Sequence, residues 1–142
     1  MEVRFYETVP DSLLKFAVII ARSNGSWVFC KHKDRDTYEV PGGHREPGEM
    51  ILETAGRELE EETGAMQYAI EPVCVYSVIG RNRVNASGEE MFGMLYSAEV
   101  TTFRQELCSE MEKVVLLADL PSEWTYPEIQ PRLIEEYLRR RR

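Results

Sequence analysis

GHREPGEMILETAGRELEEETGA, residues 43–65, is the stretch on which the fold of this chain turns. Its first part is a loop with glycines and a proline. Residues 50–63 then place Leu52, Ala55 and Leu59 at helical spacing, and Gly64 follows as a C-cap, so a helix is expected. With Leu52 at zero on a wheel of about 100° per residue, Glu61, Glu58 and Glu62 fall at roughly 180°, 240° and 280°. These three carboxylates share one arc, displaced from the apolar stripe, while Glu60 lies outside it and is expected to be solvated. Like charges at this spacing cost about a few tenths of a kcal/mol per pair. A hard divalent cation such as Mg²⁺ or Mn²⁺ prefers clustered carboxylate oxygens and would remove that repulsion. Glu49 precedes the helix, near its first-turn amide dipoles. Arg57 is placed to orient one carboxylate through a charge-assisted bond. The loop glycines let backbone carbonyls approach the same ion, with Gly43 the best candidate.

The flanks read as strands. Upstream, KFAVIIA (15–21) and WVFCKH (27–32) surround the turn signal SNGS and form an expected hairpin. TYEVPGG (37–43) reads as a short strand ended by Pro41. Downstream, PVCVYSVIG (72–80) and MFGMLYSAEV (91–100) read as strands around a polar loop, and VVLLADLP (114–121) as a shorter one. From 127 or 129 onward, Ile129, Leu133, Ile134, Tyr137 and Leu138 carry helical periodicity. Strands, helix, strands, helix, with no linker or repeat, make residues 1–142 one α+β domain of layered α/β/α type.

Composition narrows the class. The chain has 142 residues, 43% hydrophobic and 30% charged, as in ordinary globular proteins with their own core. No run approaches the roughly 18 apolar residues of a membrane span. The N-terminus has early acids and no hydrophobic signal region, so the expected compartment is the cytoplasm and no membrane partner is expected. Cys30, Cys74 and Cys108 are isolated, which points to core thiols rather than structural zinc. A net charge of −8 argues against general nucleic-acid binding. It leaves a polyphosphate ligand open, provided that cations sit between the two.

Gly43, five residues, Glu49, seven residues, Arg57-Glu58, Leu59, then Glu61-Glu62 and Gly64 together resemble the Nudix box, GX5EX7REUXEEXGU. Ala65 stands where the pattern has a bulkier aliphatic. Seven fixed residues match by chance on the order of 10⁻⁷ per starting position, so the signal is specific. The resemblance implies a Nudix hydrolase of the MutT type. The implied fold is an α/β/α sandwich with a mixed central sheet, a catalytic loop–helix–loop and a C-terminal helix. It implies Mg²⁺, with Mn²⁺ as the alternative, held by Glu58, Glu61 and Glu62 with the Gly43 carbonyl. Glu49 and Arg57 complete the implied catalytic set, and one glutamate, inside the box or outside it, would activate water. A further acidic ligand is implied before a late strand, where CSEMEKVVLL offers Glu110, with Glu112 and then Glu90 behind it.

Substrate contacts are open to two readings each. Lys31, His32, Lys33 and Arg35 form a basic patch that either steers phosphates or protects an edge strand. Trp124 and Tyr126 either stack on a purine or pack the terminal helix, and Phe92, Met94 and Tyr96 share that ambiguity. Relatives cutting ADP-ribose carry a proline downstream of the box, and here that neighbourhood reads VIGR (78–81). The marks of the coenzyme A and dinucleoside polyphosphate groups are also missing. The resemblance therefore favours a nucleoside triphosphate, including an oxidised purine such as 8-oxo-dGTP, cut to monophosphate and pyrophosphate. The alternatives are another nucleoside diphosphate derivative (ADP-ribose, a nucleotide sugar, a dinucleoside polyphosphate or an RNA 5′ end) and a non-catalytic nucleotide sensor. The expected partner is a small nucleotide, with monomer and homodimer both open.

Overall fold

A strand that is apolar at nearly every position must be covered on both faces. The run 15–21 poses that requirement, and the fold answers it with a helix on each side of a sheet. The computed structural model describes residues 1–81, 86–104 and 111–141, with backbone alone for 111–113. Its elements are β1 (Glu2–Tyr6), β2 (Leu14–Ser23), β3 (Ser26–His32), β4 (Gly42–His44), α1 (Ile51–Thr63), β5 (Ala65–Ile79), β6 (Met91–Phe103), β7 (Met111–Leu117) and α2 (Gln130–Arg140). The order across the sheet is β1-β5-β6-β2-β3-β7, with β4 also on β2. β2 and β6 run parallel, and the other named strand pairs are antiparallel. The sheet is mixed, and the whole is an α+β sandwich.

Alternation along β2 distributes the two cores. Ala17, Ile19 and Ala21 pack with Ala55 and Leu59 of α1 and with Tyr96, Ala98 and Val100 of β6. Val18 and Ile20 point the other way, to Leu133, Ile134 and Tyr137 of α2, with Phe29, Leu95 and Tyr76. On β5, Tyr68 and Ile70 serve the α1 layer, whereas Cys74, Tyr76 and Val78 serve the α2 layer. These positions share one parity, and the register shift between Pro72 and Cys74 is what exchanges the faces. The expected β2–β3 hairpin forms, turning through two residues, Asn24 and Gly25, at φ 50° and 82°.

One edge of β2 is shared. Residues 21–23 pair with β3, and residues 16–18 pair with β4. Between them the Ile19 N–H donates to the Pro41 carbonyl at 2.9 Å. The sheet therefore forks at mid-strand, and the functional cleft opens at that fork.

Four expectations are corrected. Residues 37–43 make no continuous strand: Tyr38 and Glu39 form isolated bridges with Trp124 and Cys30, and β4 starts at Gly42. β5 begins at Ala65, directly after the α1 cap, rather than at residue 72, because its first half is half exposed and carries only a weak apolar signal. β1 was not expected, being short and half polar. Leu52 is 49% exposed, and the buried side of α1 is instead Thr54, Ala55, Leu59 and Thr63. Two threonines, satisfied by hydrogen bonds, hold positions that an apolar stripe does not reveal.

Candidate active site

The cleft at the fork has a volume of about 320 Å³. One wall is α1 and the β4 backbone, with Glu58, Glu62, Gly42 and Gly43. The lining also includes His32, Arg35 and Glu39, while Val18, Tyr76, Ile129 and Leu133 form an apolar end.

Local chemistry positions α1. The Glu53 carboxylate accepts the Met50 N–H at 2.9 Å, closing the first turn. At the other end Gly64 adopts φ 76°, and its N–H donates to the Glu60 carbonyl at 2.9 Å. With both ends fixed, Arg57 becomes the hub of the acidic run. Its Nε donates to Glu49 Oε2 at 2.6 Å, its Nη1 to Glu58 Oε1 at 2.7 Å, and its Nη2 to the His44 carbonyl at 3.0 Å. The planar fork thereby ties the loop, β4 and the helix together. The Arg57 bonds pull the Glu49 carboxyl down to about 2, and Thr54 Oγ1 adds a 2.7 Å bond to it.

Glu62 and Glu58 occupy the inner side. Burial pushes the Glu62 carboxyl well above the ordinary carboxylate range, opposed in part by the Gly42 N–H that donates to it at 2.8 Å. Burial also raises Glu58, against the pull of Arg57. The Glu58 carboxylate lies against the Gly43 backbone so closely that a Cβ there would meet its oxygens at 2.6 Å. Two half-buried carboxylates beside the Gly43 backbone are an all-oxygen donor set; Glu58 has Arg57 as a counter-charge, whereas Glu62 is met by the Gly42 N–H and by no ion pair among the described residues. A hard divalent cation fits those requirements.

The third carboxylate of the arc is placed differently. The Glu61 side chain is 51% exposed and turns to Arg57 Nη1 at 3.4 Å. Among the described residues no three His, Cys, Asp or Glu side chains converge at metal-ligand spacing. The wheel explains the split: Glu58 and Glu62 share the phase of Ala55, which faces the sheet, whereas Glu61 is turned about 60° or more away. Glu60 is exposed and accepts from Tyr68 OH at 2.6 Å.

The other predicted residues separate likewise. Arg35 and Tyr126 line the cleft. Lys31 and Lys33 are not among the lining residues, and Trp124 packs edge-on against Phe29 at 5.4 Å in the α2 core. Glu110 lies outside the described residues, and of Glu112 only the backbone is described. Glu90 is held away from the cleft by Tyr6 OH and Ser77 Oγ, each donating at 2.6 Å. Cys30 and Cys74 are buried free thiols, and Cys108 lies outside the described residues.

A family model for the NUDIX domain matches residues 12–137, nearly the whole of this architecture. The chain belongs to the NUDIX family. Over 70 residues it is 41% identical to YtkD of Bacillus subtilis (strain 168), provisionally named an 8-oxo-dGTP diphosphatase. That stretch spans 49% of this chain and 44% of the relative, less than half of each. In fold the chain is similar to the Bacillus subtilis pyrophosphohydrolase BsRppH, solved as a mutant, with a TM-score of 0.76 at 24% identity over 96% of this chain and 90% of that one. It is also similar to the NUDIX domain of Shewanella oneidensis NrtR, solved with ADP ribose, with a TM-score of 0.68 at 16% identity over 95% and 94%. These two likenesses speak to the fold alone.

Two members of this NUDIX cleft escape a reading of motifs. Glu39 is buried and has Arg35 Nη1 at 3.5 Å, four residues upstream. Gln130, on α2, accepts the Val40 N–H at 2.9 Å. Glu39 carries a weak signal, a charged residue within an otherwise apolar approach to PGG. Gln130 carries none, because its partner is 90 positions away.

Proposed function

We propose that this NUDIX protein is a metal-dependent pyrophosphohydrolase that cleaves a nucleoside triphosphate to nucleoside monophosphate and pyrophosphate. The observation that carries the reading is the pairing of Glu58 with Glu62 on the cleft wall beside Gly43, held from behind by Arg57. In this reading Glu58, Glu62 and the Gly43 carbonyl hold the cation, and Glu61 joins them by rotating away from Arg57. Mg²⁺ or Mn²⁺, when bound, supplies charge neutralisation at the phosphate oxygens and makes a coordinated water more acidic.

The chain's own residues do the rest. Arg57 keeps Glu58 oriented and keeps the loop docked through Glu49. Arg35, a permanent cation of the cleft lining that also pairs with Glu39, takes a phosphate oxygen. A water oxygen attacks phosphorus, its proton passes to a carboxylate, and the anhydride P–O bond breaks with pyrophosphate leaving. Tyr126 and the apolar end hold the base. The partial likeness to YtkD supports a purine, with 8-oxo-dGTP among the candidates.

The test is incubation with Mg²⁺ or Mn²⁺ and a panel of nucleoside triphosphates, 8-oxo-dGTP, ADP-ribose and Ap4A, with products separated chromatographically. Monophosphate and pyrophosphate are expected from a triphosphate. Turnover of ADP-ribose or Ap4A in preference would move the substrate class, and no turnover of any compound would remove the enzyme reading.

A further inference from the structure

Position 45 is one of the places that the box leaves open, and this chain fills it with an arginine. The Arg45 N–H donates to the Lys15 carbonyl at 2.8 Å, so pairing with β2 runs one residue past β4. Alternation then sends the Arg45 side chain to the face on which Gly43 meets Glu58, the α1 side. There its guanidinium joins three stretches of chain. Nε donates to the Glu49 carbonyl at 2.7 Å, Nη1 to the carbonyls of Asp11 and Leu14 at 3.0 and 3.3 Å, and Nη2 to Asp11 Oδ2 at 2.9 Å. Asp11 opens the 3₁₀ turn Asp11–Leu13, and Leu14 is the first residue of β2.

Magnitudes decide which of these bonds matters. The Asp11 carboxylate is 69% exposed, and an ion pair so open to water contributes little. The bonds to the Glu49 and Leu14 carbonyls are partly buried and charge-assisted, the stronger class. Glu49 is thereby held twice: its main chain by Arg45, and its carboxylate by Arg57, which in turn bonds Glu58. A tight turn lies between the two anchors, closed by the Glu49 N–H on the Glu46 carbonyl at 3.1 Å. We propose that Arg45 is a positioning residue of the cation site: by anchoring the Glu49 main chain to the start of β2, it fixes the Arg57–Glu58 pair beside Gly43. The inference rests on the cation reading above and deepens it, because the box letters are set in place by a residue that the box does not specify.

Hydrogen exchange on the metal-free protein reads the loop without turnover. Arg45→Met keeps an unbranched apolar stem and removes every donor. Amides of residues 46–50 are expected to exchange about 10-fold faster in this variant, with α2 unchanged. Mn²⁺ affinity by electron paramagnetic resonance is expected to fall about 10-fold, and kcat at saturating cation by on the order of 10²-fold with KM for the triphosphate little changed. Arg45→Lys restores one donor group without the planar spread, so it should fall between the two, and it carries the same test if Arg45→Met fails to fold. Asp11→Asn is expected to lose much less affinity than Arg45→Met, since the carbonyls remain. A folded Arg45→Met with wild-type loop exchange and Mn²⁺ affinity overturns the proposal, as does an Asp11→Asn that loses as much. Faster exchange with unchanged Mn²⁺ affinity and kcat would show a structural anchor only, and overturns it too. A looser loop and weaker Mn²⁺ binding in a protein that cleaves no triphosphate would uphold this inference while removing the hydrolase reading. Triphosphate cleavage that Arg45→Met leaves at the wild-type rate would do the reverse.

Discussion

Gly43 is the residue at which geometry is least forgiving. A Cβ added there meets the Glu58 carboxylate oxygens at 2.6 Å, well inside van der Waals contact. Its φ lies outside the left-handed region, so alanine brings no backbone strain. Gly43→Ala is therefore expected to displace Glu58 rather than to unfold the protein. Turnover should drop by on the order of 10²-fold, as when a positioned catalytic group is lost, while the thermal midpoint moves little. Unchanged turnover would mean that the Glu58 position beside β4 is not used. At this scale the motif told most of the story. The seven fixed residues of the box are legible as letters; Glu58 and Glu62 line the cleft, with Arg57 bonded to Glu58. What the letters hide is which of the glutamates face the sheet: Glu61, about 60° or more from Glu58 and Glu62 on the wheel, is exposed and pairs with Arg57 at 3.4 Å.

Among the elements, α2 closes the second core and supplies the end of the cleft, so its docking matters to function. Glu136 is buried near its C-terminus and accepts from Arg139 Nε at 2.9 Å and Arg140 Nε at 2.7 Å, while Arg140 reaches Glu7 at 3.0 Å. Those arginines lower the Glu136 carboxyl from an ordinary 4.5 to about 2. A carboxyl depressed in the folded state stabilises fully above its unfolded value, and that contribution is lost as pH falls toward the folded one. The stability difference between wild type and Glu136→Gln is thus expected to be constant above pH 4.5 and to shrink between 4.5 and about 2. Chemical denaturation across that range measures it, and a difference that grows in acid would contradict the pairing. The helices were legible from periodicity, since Leu133, Ile134 and Tyr137 are buried as read. β1 and the first half of β5 were not, because their alternation is shallow and their pairing partners lie far along the chain. Leu52 misled for a related reason: at the exposed start of α1, apolar character alone does not report burial.

At the scale of the molecule, the fork in β2 makes the cleft. It places Glu39 and Val40 against Gln130, and α1 against β4, through pairings between distant segments. No local pattern encodes such a junction, which is why the glutamate wall of the cleft was readable from the box and the wall at Glu39 and Gln130 was not. The acidic balance of −8 fits a site that draws cations first and phosphates through them. The central claim is that Glu58 and Glu62, and not the acidic run at large, hold the cation that makes this a hydrolase. Mn²⁺ affinity measured by electron paramagnetic resonance on wild type, Glu58→Gln, Glu62→Gln and Glu60→Gln tests it most directly. The first two variants are expected to bind Mn²⁺ about 10-fold or more weakly, with Glu60→Gln equal to wild type. Equal affinity in all four proteins, or a loss in Glu60→Gln as large as in the other two, would contradict it.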